Sequence, residues 1–344
     1  MYYSFLVSIL LLTTTPTIVG WGREGHFITT RIALAYLDSG GRDFVDRILQ
    51  SKVGTVEDAF YEASIWPDTV QADPKYDWAR PMHFVNTPDR LCDGVKLKRD
   101  CGSLEYPGYC PVTAIANYTS RLADETLAID QRREAFKFLV HFLADANQPL
   151  HIGFKGDKGG NKLMMTPPWD HPVDKAGKRV ASPRAKPLHV QWDGHVIQYT
   201  YKHLGLDWMG LADAIISRIE ASKISWANDW HDPLSYATTS VIQSSHLACT
   251  VAYKSGGKWV KDGQRLSRDY YEDAAATSID QLMKSGLDIA RSLNQIAYEI
   301  KHGDDTGSTD GGMSDESDAL DEDFDWENAA FSVDYEDEFL FFGP

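Results

Sequence analysis

At His141-Phe-Leu-Ala-Asp145 and again at His189-Val-Gln-Trp-Asp193 a histidine is followed four residues later by an aspartate. Residues four apart share one face of an α-helix, so each pair aims an imidazole and a carboxylate in the same direction. The fold must therefore supply helical backbone at both places. Pro149 breaks the first helix, and His151 follows in its exit turn. A single pair of this spacing reads best as a satisfied, partly buried core histidine, because short motifs are weak. Two pairs joined by a further histidine read instead as ligands, since zinc accepts imidazole nitrogen and carboxylate oxygen. Upstream, Asp68 in Ala-Ser-Ile-Trp-Pro-Asp, His83 in Pro-Met-His-Phe-Val-Asn and His26, shortly after Trp21, extend the set. Five histidines and three carboxylates are enough for a multinuclear centre.

Helical periodicity dominates the rest. Phe27, Ile28, Ile32, Ala35 and Tyr36 fit one helix, and Ala135 to Ala146, Leu211 to Trp226 and Ala274 to Ile300 fit others. Strand signals are sparse, and there is no internal repeat. The fold class expected is mainly α, a single helical domain over 21–302. The stretch Asn161 to Pro187 is rich in Pro, Gly, Lys and Arg without apolar period and reads as a long exposed loop, carrying Lys175, Lys178, Arg179, Arg184 and Lys186.

The apolar run from Phe5 to Leu12, a Thr/Pro-rich stretch and Gly20 before Trp21 read as a secretory leader over 1–20, with Trp21 as the mature first residue. The run is too short to span a bilayer, which takes about 20 apolar residues. Four cysteines in an exported chain imply two disulfides with three possible pairings. Cys101 with Cys110 closes a short loop and leaves Cys92 with Cys249. Asn117-Tyr-Thr is a glycosylation sequon. The formal charge is −16, but fifteen of the 50 acidic residues and no Lys or Arg lie after His302, so the body is within one charge of neutral. Nucleic-acid binders usually present a basic surface, so a body this neutral would need bound cations to supply positive charge locally. Residues 303–344 read as an acidic disordered tail. Its interleaved aromatics suit either a solubilising extension or a mimic of single-stranded nucleic acid.

Trp21-Gly-Arg-Glu-Gly-His26, the Asp68 and His83 segments, His141 to His151, Gly159-Gly160-Asn161 and Leu188-His189-x-x-Trp192-Asp193 occur in that order. Together they resemble the type I nuclease family, secreted trinuclear-zinc single-strand nucleases and 3′-nucleotidases of fungi, plants and protozoa. Thr87-Pro88-Asp89, Cys92 and Arg99-Asp100-Cys101 are most similar to the plant-type branch. The resemblance covers Trp21 to about Ile300 and implies the helical fold shared with zinc-dependent phospholipase C.

It also implies three Zn2+ ions. Asp68, His83, His141 and Asp145 would hold one; the Trp21 amine and carbonyl, His26 and Asp145 a second; His151, His189 and Asp193 the third. Cleavage before Trp21 would then be an activation step as well as a sorting step. A hydroxide between the two close ions would attack phosphorus and the third ion would stabilise the leaving 3′ oxygen, giving 5′-phosphates from single-stranded DNA, RNA and 3′-nucleotides. Asp68, Asp145 and Asn86 are the residues that the resemblance makes catalytic.

Phe84 would stack an unpaired base or serve as ordinary core, and Asn161 would bond the nucleotide or its own turn. Two positions depart from the family pattern: Asn86 stands where relatives commonly carry Asp, and Gln71 where they often carry Arg. Both changes remove charge and predict altered substrate preference or a lower rate with zinc retained. The interval between His151 and His189 is longer than in fungal members; the basic loop filling it would grip a phosphate backbone or be a solvated insertion. A secreted monomer is expected, with a zinc phospholipase C or a noncatalytic zinc or nucleic-acid binding protein as the rival readings.

Overall fold

The computed structural model describes residues 21–50, 54–102, 107–168, 184–222 and 232–302. The leader, Lys175, Lys178 and Arg179 of the basic stretch, and the acidic tail lie outside them. The helices are α1 (Arg23–Tyr36), α2 (Ser39–Leu49), α3 (Val56–Val70), α4 (Leu97–Asp100), α5 (Pro111–Ala123), α6 (Ile129–Asp145), α7 (Leu188–Val190), α8 (Val196–His203), α9 (Trp208–Ser222), α10 (Pro233–Leu247) and α11 (Arg268–His302). Many start where the sequence provides a cap. Asp38 accepts from the Gly41 amide ahead of α2, Thr55 and Asp58 form a reciprocal capping box at α3, and Asp232 precedes Pro233 at α10. The expected helices near Phe27, Ala135, Leu211 and Ala274 are α1, α6, α9 and α11.

Helix α6 is charged and partly exposed in its first turns and buried on every side from Phe138 to Asp145. Phe136, Phe138, Leu139, Val140, Phe142 and Leu143 are fully buried against residues of α2, α3 and α5. On the other flank Ile28 and Ile32 of α1 pack with Leu211 and Ile215 of α9 and Leu282 and Leu287 of α11. A third cluster gathers Trp192, Val196, Tyr253, Tyr270 and Tyr271 around the start of α11. Among the described residues no helix is long and apolar enough to cross a membrane.

The interval 161–187 is not wholly an exposed loop. Its ends pair as a short antiparallel ladder, β1 (Met164–Met165) with β2 (Lys186–Pro187), and Met165 is buried in the third cluster. Two residues are too few to register as alternation, so the pattern was invisible in the sequence. A second ladder of the same size joins β3 (Lys254–Ser255) to β4 (Lys258–Trp259). Both disulfides form as expected, Cys92 with Cys249 and Cys101 with Cys110.

Candidate metal centre

Seven segments converge on one buried cluster. Helix α1 brings His26, α3 brings Asp68 near its end, the 3-10 helix Pro74–His83 ends in His83, α6 ends in His141 and Asp145, and the 3-10 turn Pro149–Ile152 carries His151. His189 sits in α7, and Asp193 in a π-helical turn, Gln191–His195, that runs on into α8. The second His-x-x-x-Asp pair therefore spans a junction between α and π geometry, unlike the first. Its groups still meet, with His189 Nε2 3.5 Å from Asp193 Oδ2.

Asp145 is the hub. Its Oδ2 lies 3.0 Å from His83 Nδ1 and 3.1 Å from His141 Nε2, and its Oδ1 is 3.5 Å from His26 Nε2. Asp68 Oδ1 approaches His141 Nε2 at 3.6 Å and His83 Nδ1 at 3.8 Å. The His26 and His141 rings stack with centroids 4.2 Å apart, and those of His151 and His189 at 4.9 Å. Three sets have ligand atoms close enough to share an ion: His26, His141 and Asp145; Asp68, His83 and His141; His151, His189 and Asp193. Only Asp68 among them keeps an appreciable opening to solvent.

The outward nitrogens are held by backbone. His141 Nδ1 meets Ser64 O at 2.7 Å, His151 Nδ1 meets His83 O at 2.6 Å, and His189 Nδ1 meets Gly159 O at 2.7 Å. A carbonyl can only accept, so each ring carries its proton on Nδ1 and turns the Nε2 lone pair into the cluster. Gly159 has φ +63°, and a Cβ there would lie 2.4 Å from Leu150 O, so only glycine fits.

The amino-terminal end is seated just as tightly. Trp21 is fully buried, its indole Nε1 donating to Ala144 O at 3.0 Å beside Asp145. The Gly22 amide donates to Asp193 O at 2.7 Å, and a Cβ on Gly22 would stand 2.8 Å from that oxygen. Trp21-Gly22 thus bridges the two halves of the cluster.

The residues present fit metal ions. Both ring nitrogens of His26, Nε2 of His151 and Oδ1 of Asp145 are buried without a hydrogen bond. Orphaned polar atoms at such depth are costly unless a ligand satisfies them. By themselves the packed groups also oppose one another. Burial pushes Asp193 well above the usual carboxylate range and raises Asp68 too. Burial, aided by His141, pushes His26 well down. Burial works to lower His141, but Asp145 and Asp68 override it and raise the imidazole to about 9. Burial likewise works to raise Asp145, yet the imidazoles around it hold it well below the usual range. Cations would replace the protons that such a set otherwise retains.

Phe84 and Asn86 follow His83 along an extended segment, both half-buried, with the Val85 amide donating to His151 O at 2.8 Å. Asn161 spends its amide within its own turn, Nδ2 donating to Lys158 O at 2.9 Å. Asn117 is exposed on α5, and the disulfides lie outside the cluster. Gln71 is buried against the centre, with Nε2 3.0 Å from Asp68 Oδ1. Sequence reasoning did not single out Gln148, which is fully buried and donates from Nε2 to Asp193 Oδ1 at 2.7 Å while its Oε1 accepts from the Leu150 amide. Its place between Asp145 and His151 was the available signal.

Comparison with known proteins agrees with this geometry. The profile of the S1/P1 nuclease family matches residues 21–298. The chain is similar to Endonuclease 1 of Arabidopsis thaliana, 28% identical over 85% of this chain and 92% of the relative. It is 30% identical to Nuclease P1 of Penicillium citrinum over 80% of this chain and 97% of that one. Nuclease S1 of Aspergillus oryzae is 26% identical over 85% and 97% respectively.

Proposed function

The chain belongs to the S1/P1 nuclease family, and from that membership we propose that this hydrolase is a secreted zinc-dependent endonuclease of single-stranded DNA and RNA. It also acts on 3′-nucleotides and leaves 5′-phosphates. The observation that carries the reading is the set of three His/Asp groups, two of them sharing His141, with both ring nitrogens of His26 and Nε2 of His151 buried without hydrogen bonds.

Asp68, His83, His141 and Asp145 would hold one Zn2+; the freed Trp21 amine and carbonyl with His26 and Asp145 a second; His151, His189 and Asp193 a third. Bound there, the ions supply water of lowered pKa as nucleophile and positive charge for the phosphate and the departing oxygen. The protein's share is positional. Asp145, fully buried, bridges two ligand sets, and the carbonyls of Ser64, His83 and Gly159 fix three rings in the ligating tautomer. Asp68, at the open edge, meets the entering phosphate. Phe84 offers a face to an unpaired base, and Asn86 offers an amide that can bond substrate without carrying charge.

A nearly neutral body suits this arrangement, because the ions provide the attraction for phosphate that surface lysines supply elsewhere. Two disulfides fit an oxidising compartment and so agree with export of the chain after removal of 1–20. Glycosylation would fall at exposed Asn117.

The test is a substrate panel with zinc-loaded and chelated protein: single-stranded DNA, RNA, 3′-nucleotides and phosphatidylcholine. Metal-dependent cutting of the first three, without hydrolysis of the lipid, is the expected result. Lipid hydrolysis in place of nucleic-acid cleavage, or no turnover by fully loaded protein, overturns the reading.

A further inference from the structure

The carbonyl that fixes His189 comes from an unusual piece of backbone. Lys158, Gly159 and Gly160 follow one another with φ of +57°, +63° and +83°, three left-handed residues in a row. That region is disfavoured for any residue with a Cβ, so Lys158 keeps it only because the surrounding structure holds it there. Gly159, in the middle, turns its carbonyl to His189 Nδ1 at 2.7 Å. A shift of this short segment would take away the acceptor that keeps the ring proton on Nδ1 and the Nε2 lone pair toward the ion.

Two side-chain oxygens hold the segment from outside the ligand sets. Tyr253 is buried and directly follows the π-helical turn Ala248–Ala252, which carries the disulfide-bonded Cys249. Its hydroxyl accepts from the Phe154 amide at 3.1 Å and donates to Asp157 Oδ1 at 2.8 Å. The same Asp157 oxygen accepts from the Gly160 amide at 2.7 Å. Entry and exit of the turn 154–160 are thereby joined through one phenol and one carboxylate, and the Tyr253 ring stacks on Phe154 with centroids 4.2 Å apart. Thr87 O and Asp89 Oδ1 take the Lys155 and Gly156 amides at 2.9 and 2.7 Å, which secures the first half of the turn. The left-handed half is tied by Asp157 to a phenol 96 residues further along the chain.

We propose that Asp157 is a positioning residue for the ion set His151, His189 and Asp193, acting with Tyr253 to hold the left-handed turn whose Gly159 carbonyl fixes the His189 ring. This rests on the metal-centre reading above and goes beyond it, because it gives part of one site's affinity to a carboxylate that bonds backbone and phenol. Both donors meet a single Asp157 oxygen, and neither demands a charge. An amide oxygen in its place would serve them, whereas a methyl group leaves the Gly160 amide and the Tyr253 hydroxyl without that acceptor.

Zinc affinity of the full chain, measured by competition with a chromophoric chelator, tests the assignment, and 15N resonances of the labelled histidine rings show which ion is affected. Asp157→Ala should weaken the equivalent bound by His189 by about 10-fold, the low end of the effect of losing an outer partner of a ligand, and speed exchange of the His189 Nδ1 proton. Asp157→Asn should stay within about 3-fold of the parent, less than a missing outer partner costs. Tyr253→Phe keeps the stack on Phe154 but loses the hydroxyl, and should move both readouts in the direction of Asp157→Ala; it carries the test where Asp157→Ala fails to fold. Asp157→Ala or Tyr253→Phe matching the parent in both readouts would overturn the role. So would Asp157→Ala weakening every zinc equivalent alike, which marks a general loosening of the fold, or Asp157→Asn falling as far as Asp157→Ala. Parent protein that takes up no zinc removes the metal-centre reading and this inference with it, whereas those variant results in a zinc-binding parent remove the inference alone.

Discussion

Replacing Gln148 by leucine should weaken both the fold and one metal position, by amounts that the structure lets us work out. The side chain is fully buried and makes two bonds, Nε2 to Asp193 Oδ1 and Oε1 from the Leu150 amide. Leucine is near in size, so little cavity forms and the loss is that of the bonds. A hydrogen bond to a carboxylate contributes about 1.5–3 kcal/mol, and a buried amide left without an acceptor costs about 1–3 kcal/mol, so the sum is about 2.5–6 kcal/mol. For a domain of this size that corresponds to a fall in Tm of roughly 4–12 °C. Gln148 also counters the burial that raises Asp193, so its loss leaves that carboxyl more firmly protonated and weakens the ion held with His151 and His189. The affinity loss expected from removing such an outer partner is about 10–100-fold. Calorimetry in chelator reads the first effect, and zinc competition reads the second. Gln148→Glu separates them, because it keeps an acceptor for Leu150 but sets a second carboxylate against Asp193. A Tm within about 2 °C of the parent, together with unchanged affinity at every zinc equivalent, would refute the reasoning.

Three further perturbations have defined outcomes. Protein retaining residues ahead of Trp21 should hold one zinc fewer and lose activity, since an amide nitrogen cannot replace a free amine; elemental analysis showing a full complement in active material would contradict this. Gly159→Ala forces a left-handed backbone at φ +63° onto a residue with Cβ, at about 1–2 kcal/mol before the contact with Leu150 O is counted, and should lower both Tm and the affinity of the His189 site. The pH dependence follows from His141, raised from 6.5 to about 9 when no cation is bound. Its contribution to the chelated fold is fully present below pH 6.5 and is lost as pH rises through 9. Melting curves should therefore show the chelated protein weakening across that window, while the added stability from zinc grows because the metal displaces that proton. A zinc increment that shrinks with rising pH would reverse the assignment.

Much of the architecture was legible because helices declare themselves locally. Apolar spacing marked α1, α6, α9 and α11, and composition separated a neutral body from the acidic end. The helices α2, α3, α5 and α10 were not read, although α2, α3 and α10 carry recognisable caps and α2 sets Phe44, Val45, Ile48 and Leu49 on one face. The π-helical turn that carries Asp193 also escaped, since a single inserted residue leaves the four-residue spacing intact.

Side-chain identity determined the chemistry on offer: histidine and aspartate, in two paired motifs with more of each upstream, are residue types that can hold a cation. What tertiary structure alone decided is which atoms of those residues face inward and what steadies them. His83 turns Nδ1 toward Asp145, whereas His141, His151 and His189 turn Nε2 inward because carbonyls of Ser64, His83 and Gly159 hold the other nitrogen. A carbonyl belongs to every residue and so leaves no trace in a sequence; its aim comes from the packing of segments far apart in the chain. Gln71 and Gln148 show the same division, for an amide reads as ordinary polar surface until burial places it beside a ligand.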